Sequence, residues 1–271
     1  MPELPEVETI RISLKKELII QRIISTDVRN SALRWPVQED LYQKINNQFI
    51  LDVLRRGKVI CLRLTEGYLL IHPGMTGKVL IKEHGYVPEK HDHIILKLSD
   101  ISLVYNDPRR FGYVEWARRI DKTNLRFIQK GPDPFDQDFT LDYLKSRLNN
   151  SKTEIKACLM NDKILTGIGN IYANELLFRA NIHPGKRSYL LSEKDIEIIF
   201  DNILPLLKEA ISMGGSTLRD YVDSKGQKGR FQSRHQVYNR YGLPCSVCGD
   251  KIEKFVIGSR STFFCPSCQR I

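Results

Sequence analysis

Apolar residues recur every three to four positions from Pro5 to Leu18, with Val7, Ile10, Leu14 and Leu18 on one face, which predicts an amphipathic opening helix. The period then shortens. Short runs rich in Ile, Val and Leu occupy Gln21–Val28, Lys58–Leu64, Tyr68–His72, Lys78–Ile81, His93–Leu98 and Ile101–Tyr105. Spaced at about ten residues and broken by Gly, Asp or Ser, they predict an antiparallel sandwich or barrel and not alternating βαβ units. Lys130–Phe139, with two prolines and three aspartates, reads as a linker. Beyond it the period is helical over Leu141–Leu148, Glu154–Met160, Ile171–Arg179 and Ser192–Met213. Ser192 and an acidic first turn suit the start of the last helix, Pro205 is expected to kink it, and Gly214-Gly215 ends it. The fold class expected is α+β. Its parts are an N-terminal helix with an antiparallel β-sandwich (1–130), a linker (131–140), a helical domain (141–235) and a small C-terminal piece (236–271).

Composition narrows the partners. A hydrophobic fraction of 41% with 27% charged residues excludes a disordered or collagen-like chain. Lys and Arg number 42 against 32 Asp and Glu, a net charge of +10 that favours a polyanion such as nucleic acid or an anionic membrane. From Gly214 onward there are ten Lys and Arg against four Asp and Glu, so this stretch holds six of those ten charges. Its mixture of Arg, Tyr and Phe favours a nucleic-acid surface over a solvated tail. No apolar window is long enough to span a bilayer, and the acidic N-terminus does not read as a signal peptide. An intracellular, cytoplasmic location is therefore expected, where thiols stay reduced.

In that setting cysteines read as metal ligands before disulfides. Cys245 and Cys248, then Cys265 and Cys268, form two CxxC pairs separated by sixteen residues, the spacing of a four-thiolate zinc site. Ile252–Ile257 and Thr262–Phe264 are expected to form a hairpin between them, turning at Gly258 and Ser259. A piece this small cannot build its own core, so metal would supply its folding energy. Four sulfur ligands leave no open position: one structural zinc is expected, with any chemistry elsewhere. Cys61 and Cys158 lie in apolar runs and are expected in the core.

Pro2 follows the initiator Met and is small enough to permit its removal. A free N-terminal proline is a secondary amine with a pKa of about 8, partly neutral and nucleophilic near neutrality. Glu3 and Glu6 beside it offer a proton donor, although acidic residues in a first turn also simply complement a helix dipole.

Met1–Thr9 (MPELPEVET), Asp107–Gly112 (DPRRFG), Gly167–Tyr172 (GIGNIY), Gly214–Thr217 (GGST) and the terminal four-cysteine finger together closely resemble bacterial formamidopyrimidine-DNA glycosylases, from Pro2 to Arg270 and in order. The resemblance implies a β-sandwich, a helix–two-turns–helix domain and a zinc finger. It also implies a monomeric base-excision-repair enzyme acting on double-stranded DNA. Such an enzyme excises 8-oxoguanine and formamidopyrimidines, then cuts the strand by β- and δ-elimination. By position, Pro2 would be the nucleophile, Glu3 the general acid, and Lys58 an aid to β-elimination. Asn170 and Arg260 would clamp phosphates, Arg260 also serving δ-elimination. His72, His91, Arg110 and Lys152 match DNA-contacting positions, His93 being a close alternative to His91. Phe111 would insert between base pairs, Arg109 face the orphaned base, and Met75 fill the remaining void. The stretch 216–235 reads as a lid over the everted base or as a plain surface loop.

Two rivals stand beside this reading. One is an oxidised-pyrimidine glycosylase like endonuclease VIII, which carries a glycine in its N-terminal motif where Leu4 stands here. The other is a non-catalytic zinc-ribbon DNA-binding protein, which would have no use for Pro2 and Glu3.

Overall fold

The computed structural model describes residues 2–121, 124, 127 and 130–270; Met1, whose removal is expected, lies outside them. The chain forms two compact units, Met1–Ile128 with Met213–Arg230 and Gln129–Ser212 with Phe231–Ile271.

In the first unit the helix α1 (Leu4–Leu18) buries Leu4, Val7, Ile10, Leu14 and Leu18 on one face, as its spacing predicts. Eight strands follow: β1 (Ser25–Val28), β2 (Ile50–Arg56), β3 (Val59–Leu64), β4 (Tyr68–His72), β5 (Lys78–Glu83), β6 (Asp92–Lys97), β7 (Ile101–Asn106) and β8 (Tyr113–Ala117). They make two four-stranded antiparallel sheets, ordered β1-β6-β7-β5 and β2-β3-β4-β8. Ile60, Leu62, Leu69 and Ile71 of one sheet share a core with Val79, Ile94, Leu96 and Leu103 of the other and with the buried face of α1.

β2 and β8 are absent from the apolar pattern. In β2 the pairing shifts between Ile50 and Asp52, so Ile50 and Val53 are buried while Leu51 is exposed. A bulge of this kind breaks the period of two on which strand recognition rests. The first expected strand shortens to Ser25–Val28, and the helix α2 (Leu41–Ile45) is too short to show a period.

The second unit holds α3 (Leu141–Asn149), α4 (Ile155–Leu159), α5 (Asn170–Arg179), α6 (Glu193–Ser212) and the hairpin β9 (Glu253–Ile257) and β10 (Arg260–Phe264). Thr140 caps α3 by accepting the Tyr143 N–H at 3.2 Å. The helix α6 runs continuously across Pro205.

Two boundaries differ from expectation. The segment 130–140 is packed on the helical unit: Gly131 N–H donates to the Asp162 carbonyl at 2.8 Å, and Phe139 is buried against Phe200. Its aspartates make local turns, Asp133 accepting from Phe135 N–H and Asp136 from Asp133 N–H, each at 3.0 Å. The same side-chain chemistry marks linkers and ordered turns alike. Residues 213–230, expected with the helical domain, belong instead to the first unit.

His235 is buried between Phe231 and Tyr238, and burial holds its pKa down to about 4. The unfolded chain then binds the proton first, so this site's stability is complete above pH 6.5 and is lost as pH falls toward 4. The shift corresponds to about 3 kcal/mol. His235→Gln should flatten the fall in melting temperature between pH 6.5 and 4.5; equal slopes in both proteins would refute the assignment.

Candidate active site and nucleic-acid interface

Pro2 and Glu3 are both buried, at the point where the chain enters α1. Glu3 is the N-cap residue and forms a capping box with Glu6. Glu6 is almost wholly buried, and its two oxygens serve different segments. One accepts the Glu3 N–H at 2.8 Å, the other the Ser216 N–H at 2.7 Å. Tyr221 donates its hydroxyl hydrogen to the carbonyls of Gly214 (3.1 Å) and Glu6 (3.3 Å). Farther along, Ile81 N–H donates to the Ser224 carbonyl at 2.9 Å, and Lys225 pairs with Glu17 at 2.6 Å. The stretch read as a lid or a plain loop is thus anchored along α1, with Leu218, Arg219 and Asp220 exposed between the anchors.

Three contacts fix α1 antiparallel to β2. Lys15 pairs with Asp52 at 2.8 Å, Arg11 donates to the Val53 carbonyl at 3.3 Å, and Arg55 pairs with Glu8 at 2.8 Å. Burial alone would raise the Glu8 carboxyl pKa, but hydrogen bonds from Arg11 and Arg55 outweigh it and hold the group low. This register sets the start of α1 beside the end of β2. There Gly57, at φ +56°, and Lys58 make a two-residue turn into β3. Lys58 therefore lies at the same end of the sheet as Pro2 and Glu3.

Asp107 organises the second constellation. It is completely buried and accepts from Thr76 Oγ1 (2.6 Å), Gly112 N–H (2.9 Å), Tyr105 hydroxyl (3.1 Å) and Arg109 N–H (3.3 Å). One carboxylate thus binds the turn carrying Met75 to the turn carrying Arg109 and Phe111. The turns also touch backbone to backbone: a Cβ on Gly74 would meet Gly112 N at 2.5 Å, and one on Gly112 would meet the His72 carbonyl at 2.2 Å. Arg110 sits at φ +55°, a strained conformation for a residue with a Cβ. Met75 and Phe111 are exposed, with the Arg109 guanidinium 4.4 Å from the Phe111 ring centre.

His72 stacks on Tyr113, and its Nδ1 accepts from Gly74 N–H at 2.9 Å. His93 is buried with Nε2 2.7 Å from the Asp107 carbonyl oxygen, whereas His91 is half-exposed. Of the pair, His91 is the one with a surface to offer.

In the second unit Asn170 opens α5, and its amide donates to the Ser261 carbonyl at 3.1 Å. Lys156 is wholly buried and donates to the same carbonyl at 3.0 Å and to Thr262 Oγ1 at 2.8 Å. Asn174 accepts the Phe263 N–H at 2.8 Å. These bonds tie β10 to the helices, and Arg260 begins that strand, exposed, just after the turn at Gly258 and Ser259. Glu175 accepts three backbone N–H groups from Gln236, Val237 and Tyr238, fixing the approach to the finger; burial raises its pKa despite these donors. Lys152 is exposed in the loop before α4. Sequence reading missed Lys156 and Glu175, because a charged residue inside a helix is normally a surface residue.

Three family models cover the chain in order. The formamidopyrimidine-DNA glycosylase N-terminal domain matches residues 1–114, the H2TH domain of the same enzyme 130–222, and the zinc finger found in FPG and IleRS 242–271. The formamidopyrimidine-DNA glycosylase of Shigella dysenteriae is 43% identical over 271 residues, covering all of both chains. That of Photorhabdus laumondii is 42% identical over 270 residues, 99% of this chain and 100% of the relative. The chain belongs to the formamidopyrimidine-DNA glycosylase family. Among solved structures, a Lactococcus lactis FPG variant with Fapy-dG DNA superposes with a TM-score of 0.92 at 35% identity, covering 100% of each chain. The L. lactis Fpg with abasic-site DNA gives 0.91 at 36%, covering 99% of this chain and 100% of that one. The protein is thus a DNA glycosylase of base excision repair.

Its finger suits one zinc ion. The four sulfurs of Cys245, Cys248, Cys265 and Cys268 lie within 4.8 Å of one another, with Cys245 and Cys268 3.9 Å apart. Zn–S bonds of about 2.3 Å in a tetrahedron need sulfurs separated by this kind of distance. Cys61 and Cys158 are buried in the two units, and burial pushes the Cys61 thiol up to about 12. The glycosylase should lose its metal on Cys248→Ser, with zinc measured by a chromogenic chelator, while the β-sandwich unit keeps its urea midpoint; full zinc retention would exclude the four-thiolate site. Asp107→Ala strands several donors at once and should cost about 3 kcal/mol. Tryptophan fluorescence reports it directly, because Trp35 and Trp116 both lie in that unit. An unchanged midpoint would mean the two turns hold without the carboxylate.

Proposed function

We propose that this glycosylase, once Met1 is removed, uses the secondary amine of Pro2 to attack C1′ of an oxidised purine nucleotide, 8-oxoguanine or a formamidopyrimidine. The glycosidic bond breaks as the N–C1′ bond forms, and the amine's own proton passes to the departing base. Glu3 supplies a second proton to the sugar ring oxygen as the ring opens to the Schiff base. That iminium is the electron sink for β- and then δ-elimination of the strand. The observation that carries this reading is the capped start of α1, where Pro2 and Glu3 are buried and Glu6 is occupied by the Glu3 and Ser216 amides. The Glu3 carboxyl follows the amine directly in the chain and is held at the helix start by the capping box, which supports it as the proton donor.

Lys58 assists β-elimination and holds a phosphate. Asn170 and Arg260 clamp the phosphates flanking the everted nucleotide, Arg260 also serving δ-elimination. His72, His91, Arg110 and Lys152 contact the DNA backbone. Eversion costs a few kcal/mol. Phe111 offsets part of that by stacking, worth about 1–3 kcal/mol for a base on an aromatic ring. Met75 fills the remaining space, and Arg109, which offers only donors, suits the acceptor edge of cytosine opposite the lesion. The substrate is double-stranded DNA, the enzyme acts as a monomer, and the compartment is the bacterial cytoplasm with its nucleoid.

Borohydride reduction during reaction with an 8-oxoguanine:C duplex should trap an adduct on the N-terminal peptide. An adduct on Lys58 would overturn the assignment. Glu3→Gln should slow base excision about 10²- to 10⁴-fold, the usual worth of a general acid, while retaining cleavage of a preformed abasic site. Preference for thymine glycol over 8-oxoguanine would favour the oxidised-pyrimidine reading.

A further inference from the structure

A pocket of about 530 Å³ opens beside the wedge, lined by Ala32, Leu33, Arg34, Arg109, Arg110 and Phe111. Two of its three arginines belong to the wedge turn. The third, Arg34, arrives from the loop after β1, in a part of the sequence that carries no motif. Its position is fixed by backbone bonds. Arg34 N–H donates to the Gly112 carbonyl at 3.2 Å, Val37 N–H and Leu33 N–H each donate to the Ser31 carbonyl at 2.9 Å, and Leu33 is buried beneath. The guanidinium lies 5.0 Å from the centre of the Trp35 ring, and Trp35 packs edge-on against Tyr113, which stacks on His72. The arginine is therefore braced by the same aromatic series that ends on a proposed DNA contact.

Among the described residues no carboxylate pairs with Arg34, Arg109 or Arg110. Asp107, two residues before Arg109, is turned inward and occupied by Thr76, Tyr105 and backbone N–H groups. Three exposed guanidinium groups around one pocket repel one another until an anion enters. The apolar part of the lining, Ala32, Leu33 and the Phe111 ring, matches a sugar.

We propose that this pocket holds a sugar-phosphate unit of the strand opposite the lesion, with Arg34 as the cation on its phosphate. The inference rests on the proposed placement of Phe111 and Arg109 at the vacated base position. Those two residues read the stack and the orphaned base. Arg34 then fixes the backbone that carries that base, and a guanidinium laid over an aromatic ring loses little freedom on binding.

The test pairs Arg34→Ala with neutral methylphosphonates stepped along the undamaged strand of a duplex containing a tetrahydrofuran abasic analogue. Binding is read by fluorescence anisotropy over a salt series. Arg34→Ala should weaken wild-type binding about tenfold and reduce the salt slope by about 1, the signature of one lost phosphate contact. One methylphosphonate near the orphaned base should weaken the wild type but leave the Ala variant no weaker, whereas methylphosphonates in the damaged strand should add to the variant's loss. Arg34→Lys should keep the salt slope and recover part of the affinity. Unchanged affinity in the Ala variant, or additivity at every undamaged-strand position, would overturn the proposal. Persistence of the borohydride adduct in wild type would show that the failure concerned Arg34 and not the chemistry at Pro2.

Discussion

A buried carboxylate with two backbone partners is the joint on which the N-terminal unit turns. Glu6 holds the amide of Glu3, three residues earlier, and the amide of Ser216, 210 residues later. The first bond closes the start of α1 around Pro2 and Glu3. The second brings a distant segment back onto that start. Both are backbone N–H groups, the donors that a helix N-terminus also presents to an anion. Gly215, at φ +76°, makes the approach possible, since a Cβ there would meet the Glu6 carboxylate at 2.7 Å. Loss of that acceptor would leave two buried donors unmatched, one on each segment.

The same device recurs. Asp107 holds two turns together, Glu175 holds the approach to the finger, and Lys156 holds the finger strand that follows Arg260. Each is a buried ionisable group that bonds to loop or strand backbone next to an exposed side chain or the finger. Hydrophobic packing fixes the sandwich and the helical bundle, but it cannot aim an exposed phenylalanine or arginine. Hydrogen-bond geometry can, and burial makes each such bond costly to break.

This division explains what was legible in the sequence. α1, six of the sandwich strands and the main helices follow from apolar periodicity. The zinc cysteines follow from spacing alone, and their sulfurs do converge. β2 is hidden by its bulge, and β8 by its composition, since Tyr113–Ala117 carries Glu115 and Trp116 and holds no run of Ile, Val and Leu. Lys130–Phe139 reads as a linker because Pro and Asp shape ordered turns as readily as loose ones, and here Asp133 and Asp136 make ordered ones. Residues 213–230 were assigned by neighbourhood in the chain, and only tertiary contact could return them to the first unit. Arg34 carried no signal, because an arginine in a loop is ordinary until three of them face one pocket. Lys156 and Glu175 are hidden for the opposite reason: their type predicts exposure, while Ser261 and Gln236, which they bond, lie 105 and 61 residues away in the chain.

The return of 213–230 to the first unit sets an order of events during synthesis. A chain released as far as residue 128 contains α1 and all eight strands of the sandwich, so its core can close. The helix start, however, still lacks its partner for Glu6, which emerges only after the whole helical stretch has followed. Closing so long a loop is slow and entropically costly, and it depends on the intervening unit having become compact. The sandwich is thus a local product of the first half of the chain, while its reactive corner is among the last parts to be completed. A nascent or truncated chain would carry the amine without the enclosure that directs it.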